Sequence, residues 1–310
     1  MIGRSAVMVA LYEQVRQIAR AGGSVLVCGE SGVGKELITR ALHAESDRGD
    51  GPLIPVNCAG IPSELLESEL FGHASGAFTG AHRARRGLFA EAHGGTLLLD
   101  EIAELKPEMQ AKLLRVLQDG QIRPLGANLE RQVDVRVVAA TNRDLEREVT
   151  RGRFREDLFF RLATFKIQVP PLRERGEDLK RLALHFTRYF SGAVGRVPHG
   201  LSDAAVHLLS GYPFPGNVRE LSNLIERAVT FCAGERIVPS DFPETLHACG
   251  AGLPGTGVRP RPVPGTAMPT LRQMQLRYVH YVLDQVNGNK RRAAEVLGIG
   301  RRTLYRYLGN

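Results

Sequence analysis

Seven residues near the N-terminus, Gly29-Glu30-Ser31-Gly32-Val33-Gly34-Lys35, have the spacing of a phosphate-binding loop. The glycines let backbone N–H groups approach phosphate oxygens, and the lysine supplies a cation for the β and γ phosphates. A helix opening at this point adds the positive end of its dipole. The next residue is Glu36, where the general pattern has a Ser or Thr that ligates magnesium, so magnesium must lean on other groups and on water. The complementary chemistry stands in Gly94-Gly95-Thr96-Leu97-Leu98-Leu99-Asp100-Glu101. A buried apolar strand ending in two acids delivers carboxylates to the C-terminal edge of a sheet, where nucleotides bind. Asp100 suits a magnesium ligand, and Glu101 suits the group that polarises an attacking water. One segment alone could be a glycine turn, the other an exposed acidic strand end. Together and in this order they point to hydrolysis of ATP with Mg2+.

Such groups need a sheet to hold them. Val25–Cys28 reads as a short strand just before the loop, with a helix after Lys35. Further strands are expected over Leu53–Val56, Thr96–Leu99, Val133–Ala139 and Phe165–Val169, with helices between them, notably Pro107–Gln118 with proline at its first position. Strands alternating with helices argue for a parallel sheet covered on both faces. After Pro170-Pro171 the pattern is helical only, at roughly 177–191, 202–211 and 216–232, as in a small lid.

Between the two halves of the nucleotide site lies Gly76-Ala77-Phe78-Thr79-Gly80-Ala81, approached through Glu67-Ser68-Glu69-Leu70-Phe71-Gly72-His73. ATP hydrolysis needs no such loop; flexible ends around an aromatic and a hydroxyl suit a tip that touches something. The hexapeptide resembles the signature loop of the bacterial enhancer-binding proteins, the AAA+ activators of sigma-54 RNA polymerase. The resemblance implies that Phe78 and Thr79 grip sigma-54. In that family Glu is usual at the position of Glu36. It also implies that Asn57 restrains Glu101, although a strand-end hydrogen bond to backbone is the commoner reading of such an asparagine. Thr141-Asn142 implies a sensor of the γ phosphate. In Arg153-Phe154-Arg155-Glu156-Asp157-Leu158-Phe159-Phe160-Arg161-Leu162, Arg155 and Arg161 match the family's arginine fingers, which act on a neighbouring subunit's nucleotide. Arg219, in Pro215-Gly216-Asn217-Val218-Arg219-Glu220-Leu221, matches its lid sensor.

The net charge of +8 gathers at the C-terminus, where residues 271–310 hold eight Lys or Arg against two acids. That asymmetry points to nucleic acid. Residues 248–270 contain five Gly and five Pro and read as a linker. Leu271, Met274, Tyr278, Val282 and Val286 then mark an amphipathic helix. A second helix is expected at Lys290–Leu297, with Ala293, Ala294 and Leu297 inward. A turn at Gly298-Ile299-Gly300 and a third helix at Arg301–Leu308 complete a helix-turn-helix. It resembles the Fis-type domain of the same activators, with Arg301, Arg302, Tyr305 and Arg306 facing the major groove.

No apolar run suits a bilayer and no signal-peptide pattern is present. Cys28, Cys58, Cys232 and Cys249 have neither metal nor disulfide spacing, and Cys28 and Cys58 read as buried small hydrophobes in a reducing bacterial cytoplasm. The expected fold is an α/β AAA+ core over residues 1–170, a helical lid at 171–247, the linker at 248–270 and a small all-α helix-turn-helix domain at 271–310. The expected function is ATP-dependent activation of sigma-54 polymerase, by dimers that bind a roughly palindromic enhancer in double-stranded DNA and assemble into a ring, a hexamer. Alternatives are an AAA+ enzyme with other work, such as a helicase or unfoldase, and a DNA-binding regulator with a dead ATPase. The chain starts only a few residues before its first core helix, so no sensory domain is expected ahead of it. Either the protein is regulated in trans or the native chain is longer.

Overall fold

The computed structural model describes residues 2–78, 83–194, 200–244, 246, 279, 289–300 and 303–304. The chain divides into two compact units, residues 1–254 and 255–310. In the first, α1 (Ala6–Ala21), β1 (Val25–Cys28), α2 (Lys35–Ala44), β2 (Leu53–Asn57) and α3 (Ser63–Phe71) lead to a short hairpin, β3 (Gly72–His73) with β4 (Arg85–Arg86). After α4 (Leu88–Glu91), β5 (Thr96–Asp100) and α5 (Pro107–Asp119) comes a second hairpin, β6 (Gln121–Ile122) with β7 (Arg131–Gln132). Then follow β8 (Arg136–Thr141), α6 (Leu145–Thr150), α7 (Glu156–Leu162) and β9 (Phe165–Gln168).

Five of these strands form a parallel sheet in the order β2-β5-β8-β1-β9. Each central strand is buried on both faces, which is why β5 and β8 read as apolar runs without alternation. On one face Leu26, Leu97, Leu99 and Val137 pack with Phe89, Leu113 and Leu158; on the other Val25, Val27, Leu98 and Val138 meet Leu11, Val15, Ile38 and Leu42 of α1 and α2. The ladder sets Asn57 opposite Asp100 and Cys28 opposite Thr141, so the polar strand ends share one edge.

β8 begins at Arg136, not at Val133 as its apolar residues suggest. Val133 belongs to the exit of the second hairpin, its N–H bonded to the Gly120 carbonyl at 2.7 Å. Arg136 is only 5% exposed, and among the described residues it forms no ion pair with a carboxylate. Its guanidinium donates to the carbonyls of Ile18, Ala19 and Gly23 at 2.8, 2.8 and 3.2 Å, capping the C-terminal end of α1. Burial lowers its pKa from the usual arginine range.

The lid consists of α8 (Asp178–Val194), α9 (Asp203–Ser210) and α10 (Asn217–Phe231), around Leu182, Leu209, Leu221 and Ile225. In the second unit the helix Lys290–Val296 buries Ala293 and Ala294, with Leu297 partly buried, and Val279 and Leu304 complete the cluster. Asn289 caps this helix through Arg292 N–H, and the Gly300 carbonyl accepts from Thr303 and Leu304, starting the next turn as expected. The expected helix from Leu271, apart from Val279, and the residues Arg301, Arg302, Tyr305 and Arg306 lie outside the described residues. So do the linker 248–270 and Thr79, Gly80 and Ala81. No helix of the described residues is long and apolar enough to cross a membrane.

Candidate active site

The loop Gly29–Gly34 leaves the C-terminal end of β1 and enters α2 at Lys35, the strand-loop-helix setting that a phosphate site requires. Lys35 is nearly buried, and its Nζ donates to the carbonyls of Gly29 and Glu30 at 3.0 and 3.2 Å, keeping the cation over the loop. Glu36 turns away: its carboxylate pairs with Arg40 one helical turn on, and both side chains are exposed. Asp100 ends β5 and Glu101 follows it, one strand (β8) away from the loop-bearing β1, and Asp100 accepts the Glu101 N–H at 3.0 Å. Glu101 has φ 54° and ψ 47°, a left-handed conformation that a non-glycine residue rarely holds.

Asn57 sits opposite Asp100, and its Oδ1 accepts from Ala59 and Gly60 N–H at 2.9 and 3.1 Å. Its side-chain oxygen therefore closes the turn after β2, the backbone role weighed for it above. Next to it, Cys58 is buried and its thiol is pushed up to about 12, first by burial and then by Asp100 and Glu101. The acidic pair thus has a neutral thiol as neighbour. Cys28 is half-buried, less enclosed than its apolar strand suggests. Thr141 is buried, and Asn142 is exposed at a cleft of about 340 Å³ that also includes Gly29 and Glu30. Arg219 lines a cleft of about 540 Å³ with Ser31 and Gly216.

Two arginines lie elsewhere. Arg155 is paired with Asp157 at 2.7 and 3.0 Å in front of α7. Arg161 donates to the Leu117 carbonyl at 2.9 and 3.1 Å and lines a cleft of about 1110 Å³ with Gly23, Ser24, Gly94 and Gly120. Gly23 and Ser24 precede β1, whereas the phosphate loop follows it, so Arg161 faces the opposite edge of the sheet. Gln110 went unnoticed in the sequence. It is fully buried, accepts Arg155 N–H at 2.8 Å, and donates to the carbonyls of Leu105 and Arg153 at 2.8 and 3.0 Å. A glutamine on the apolar face of α5, between Met109 and Leu113, was the available signal.

The hexapeptide springs from the β3–β4 hairpin, at the far end of α3 from Asn57. Its base is held by the second hairpin: Ala74 N–H donates to the Leu125 carbonyl and Leu125 N–H to the Gly72 carbonyl, both at 2.9 Å. Gly126, at φ 70°, lies so close that a Cβ there would come 2.8 Å from the Ala77 Cβ. His73 holds the stem. Its Nε2 faces the Arg83 carbonyl at 3.1 Å, which can only accept, so that nitrogen is assigned the proton; Nδ1 then accepts from the Ser68 hydroxyl at 2.7 Å. Phe78 packs edge-on to the His73 ring at 5.0 Å and stays 41% exposed.

The donor set suits a nucleotide with a hydrated cation. Among the described residues no cluster of three or more metal-ligating side chains exists. Adjacent Asp100 and Glu101 are the kind of sparse carboxylate set that holds magnesium when phosphates and water complete the shell.

Residues 1–168 match the sigma-54 interaction domain, 173–253 the AAA+ ATPase lid domain, and 270–308 the bacterial regulatory protein Fis family. Regulatory protein AtoC of Escherichia coli K12 is 46% identical over 303 residues, covering 97% of this chain and 65% of AtoC. Transcriptional regulatory protein ZraR of Salmonella typhimurium is 45% identical over 305 residues, 98% of this chain and 67% of ZraR. The Nif-specific regulatory protein of Azotobacter vinelandii is 51% identical over 230 residues, 73% of this chain and 43% of that protein. The chain thus spans about two thirds of AtoC and ZraR. The crystal structure of NtrX from Brucella abortus in complex with ATP superposes with a TM-score of 0.74 at 33% identity, covering 100% of this chain and 69% of NtrX. With phosphate loop, acidic strand end and hexapeptide on one α/β core, and these three matches in order along it, the chain belongs to the sigma-54-dependent AAA+ ATPase activators with a Fis-type DNA-binding segment.

Proposed function

We propose that the protein binds enhancer DNA through its C-terminal unit and uses ATP hydrolysis to remodel sigma-54 polymerase at a closed promoter. The observation that carries this reading is the placement of Gly76–Phe78, the described start of the hexapeptide. It extends from a hairpin joined by α3 to the strand end at Asn57, beside Asp100. A change at the acidic edge can therefore reach Phe78 through the β2–β5 ladder and then along α3.

The N–H groups of the phosphate loop and Lys35 hold the phosphates, and Arg219 approaches from the lid. Asp100, with Glu101 next to it, would hold magnesium, which supplies charge neutralisation at the phosphates. Glu101 accepts a proton from the attacking water. A carboxylate only accepts, so restraint of Glu101 by Asn57 falls to the Asn57 Nδ2, its oxygen being used by the turn. Asn142 reads the γ phosphate. Arg155 and Arg161 serve a neighbouring subunit's nucleotide, consistent with Arg161 facing the sheet edge remote from its own loop. Active sites then exist only between subunits of a ring, a hexamer, in the bacterial cytoplasm. Phe78 and Thr79, with the rest of Gly76–Ala81, contact sigma-54, and Arg301, Arg302, Tyr305 and Arg306 contact DNA. The working divisions are a core at 1–170, a lid at 171–247, a linker at 248–270 and a DNA-binding domain at 271–310.

The test is open-complex formation on a supercoiled promoter with ATP, beside a matched sigma-70 reaction. Opening only with sigma-54 is expected; ATP turnover with no opening in either reaction would refute the activator role.

A further inference from the structure

The phosphate loop has a second side. A peptide plane points its C=O and the next N–H in opposite directions. Three consecutive planes of the loop have their carbonyls bound by residues outside it. The Ser31 carbonyl accepts Asn217 Nδ2 at 3.0 Å. The Gly32 carbonyl accepts the N–H groups of Val218 and Arg219, the first turn of α10, at 3.1 and 3.3 Å. The Val33 carbonyl accepts Arg175 Nη2 at 2.7 Å. The opposite ends of those planes are the N–H groups of Gly32, Val33 and Gly34. Among the described residues these three donate no backbone hydrogen bond. They are the groups left to face phosphate oxygens.

The lid is fastened to this outer side. A Cβ on Gly32, at φ 76°, would lie 2.2 Å from the Gly216 carbonyl oxygen, so only glycine permits the approach. The Glu30 carboxylate receives Arg173 through two bonds at 2.7 and 2.9 Å and Asn217 Nδ2 at 3.0 Å. Arg173 lies in the single-turn helix Leu172–Glu174 between β9 and the lid. Asn217, fully buried, also accepts the Leu172 N–H at 2.8 Å. One side chain therefore ties the loop, the connecting turn and the start of α10.

We propose that Asn217, Arg173 and Arg175 are positioning residues that set the loop's peptide planes from behind and make α10 respond to what the loop holds. Rotating an N–H toward or away from a phosphate swings the carbonyl on the same plane, and that carbonyl is where the lid is attached. The lid thereby senses the nucleotide through the loop backbone as well as through any direct contact of Arg219. This inference rests on the reading that the loop binds nucleotide.

Hydrogen exchange of the full chain with and without ADP tests it. In the unsubstituted protein, ADP is expected to slow exchange in residues 29–36 and in 217–231 together. In Arg173→Gln, an exposed position whose loss leaves the fold intact, the slowing at 29–36 persists while that at 217–231 falls by half or more; Arg173→Lys restores part of it. Asn217→Gly gives the same separation more strongly. A clasp that only stabilised the fold would leave the two segments responding together, so an undiminished response of 217–231 in both Arg173→Gln and Asn217→Gly overturns the proposal. No ADP protection at 29–36 in the unsubstituted chain would overturn the nucleotide reading itself.

Discussion

Replacing Asn217 measures how firmly the lid is fastened. The side chain is fully buried and makes three hydrogen bonds, with Leu172 N–H, Glu30 and Ser31. Removing them in Asn217→Ala costs ~1 kcal/mol apiece, and the buried Leu172 N–H left without an acceptor brings the loss to about 3–4 kcal/mol. The backbone adds to this. Asn217 sits at φ 51°, where asparagine and glycine are tolerated and alanine is disfavoured by ~1 kcal/mol. Asn217→Ala is thus expected to lose about 4–5 kcal/mol, and Asn217→Gly about 1 kcal/mol less. The chain has no tryptophan, so urea unfolding is best followed by circular dichroism at helical wavelengths. Asn217→Asp keeps the acceptor for Leu172 but sets a second carboxylate against Glu30, and its penalty should grow as pH rises through the carboxylate range. A loss under ~1 kcal/mol in Asn217→Ala would refute the hydrogen-bond reasoning. Equal losses for alanine and glycine would refute the backbone part.

Arg155→Ala and Arg161→Ala should each abolish ATP turnover while leaving ATP binding intact, and mixing Arg161→Ala with Lys35→Ala subunits should recover some turnover; wild-type turnover in either single variant would count against the fingers. Thr79→Ala should retain ATPase activity and lose open-complex formation. Gly126→Val should do the same, because its side chain would displace Ala77 at the base of the hexapeptide; unchanged promoter opening would show that the second hairpin does not seat the loop. Hydrogen bonds from Arg173 and then Asn217 lower the Glu30 pKa from 4.5 to about 2. The stability this carboxylate contributes is complete above pH 4.5 and disappears as pH falls toward 2, so the gap between wild type and Glu30→Gln in urea midpoints should close over that window. With both partners near half exposed, that gap should stay under ~1 kcal/mol at pH 7.

What the sequence reveals depends on how local the cause is. The five sheet strands, α5 with its N-terminal proline and the three lid helices follow from apolar runs and helical spacing, and the structure places them within a few residues of expectation. The phosphate loop and acidic strand end are legible because their chemistry lies in consecutive residues. The hairpins β3–β4 and β6–β7 are not, since two-residue strands show no alternation. Asn217 and Arg173 look like ordinary turn and surface residues in a Pro-Gly-Asn and a Leu-Arg-Glu string. Their partners at Glu30 and Ser31 are more than 140 positions away, a pairing only the folded chain creates. The start of β8 misled for the same reason: the apolar residues from Val133 lengthen the strand on paper, whereas in the fold Val133 is bonded to Gly120 at the exit of the second hairpin and the strand begins at Arg136, which tertiary carbonyls satisfy in place.

Glu101 holds a left-handed backbone at the end of β5, and that conformation carries a consequence for how the sequence can drift. Glycine there would relieve the strain and remove the carboxylate in the same step. With Glu101 in its proposed role toward the attacking water, a screen that rewarded heat resistance alone would find its gain at this position at the expense of turnover. Under the proposed role, glutamate at this strained position is held by a demand for turnover that runs against the demand for stability.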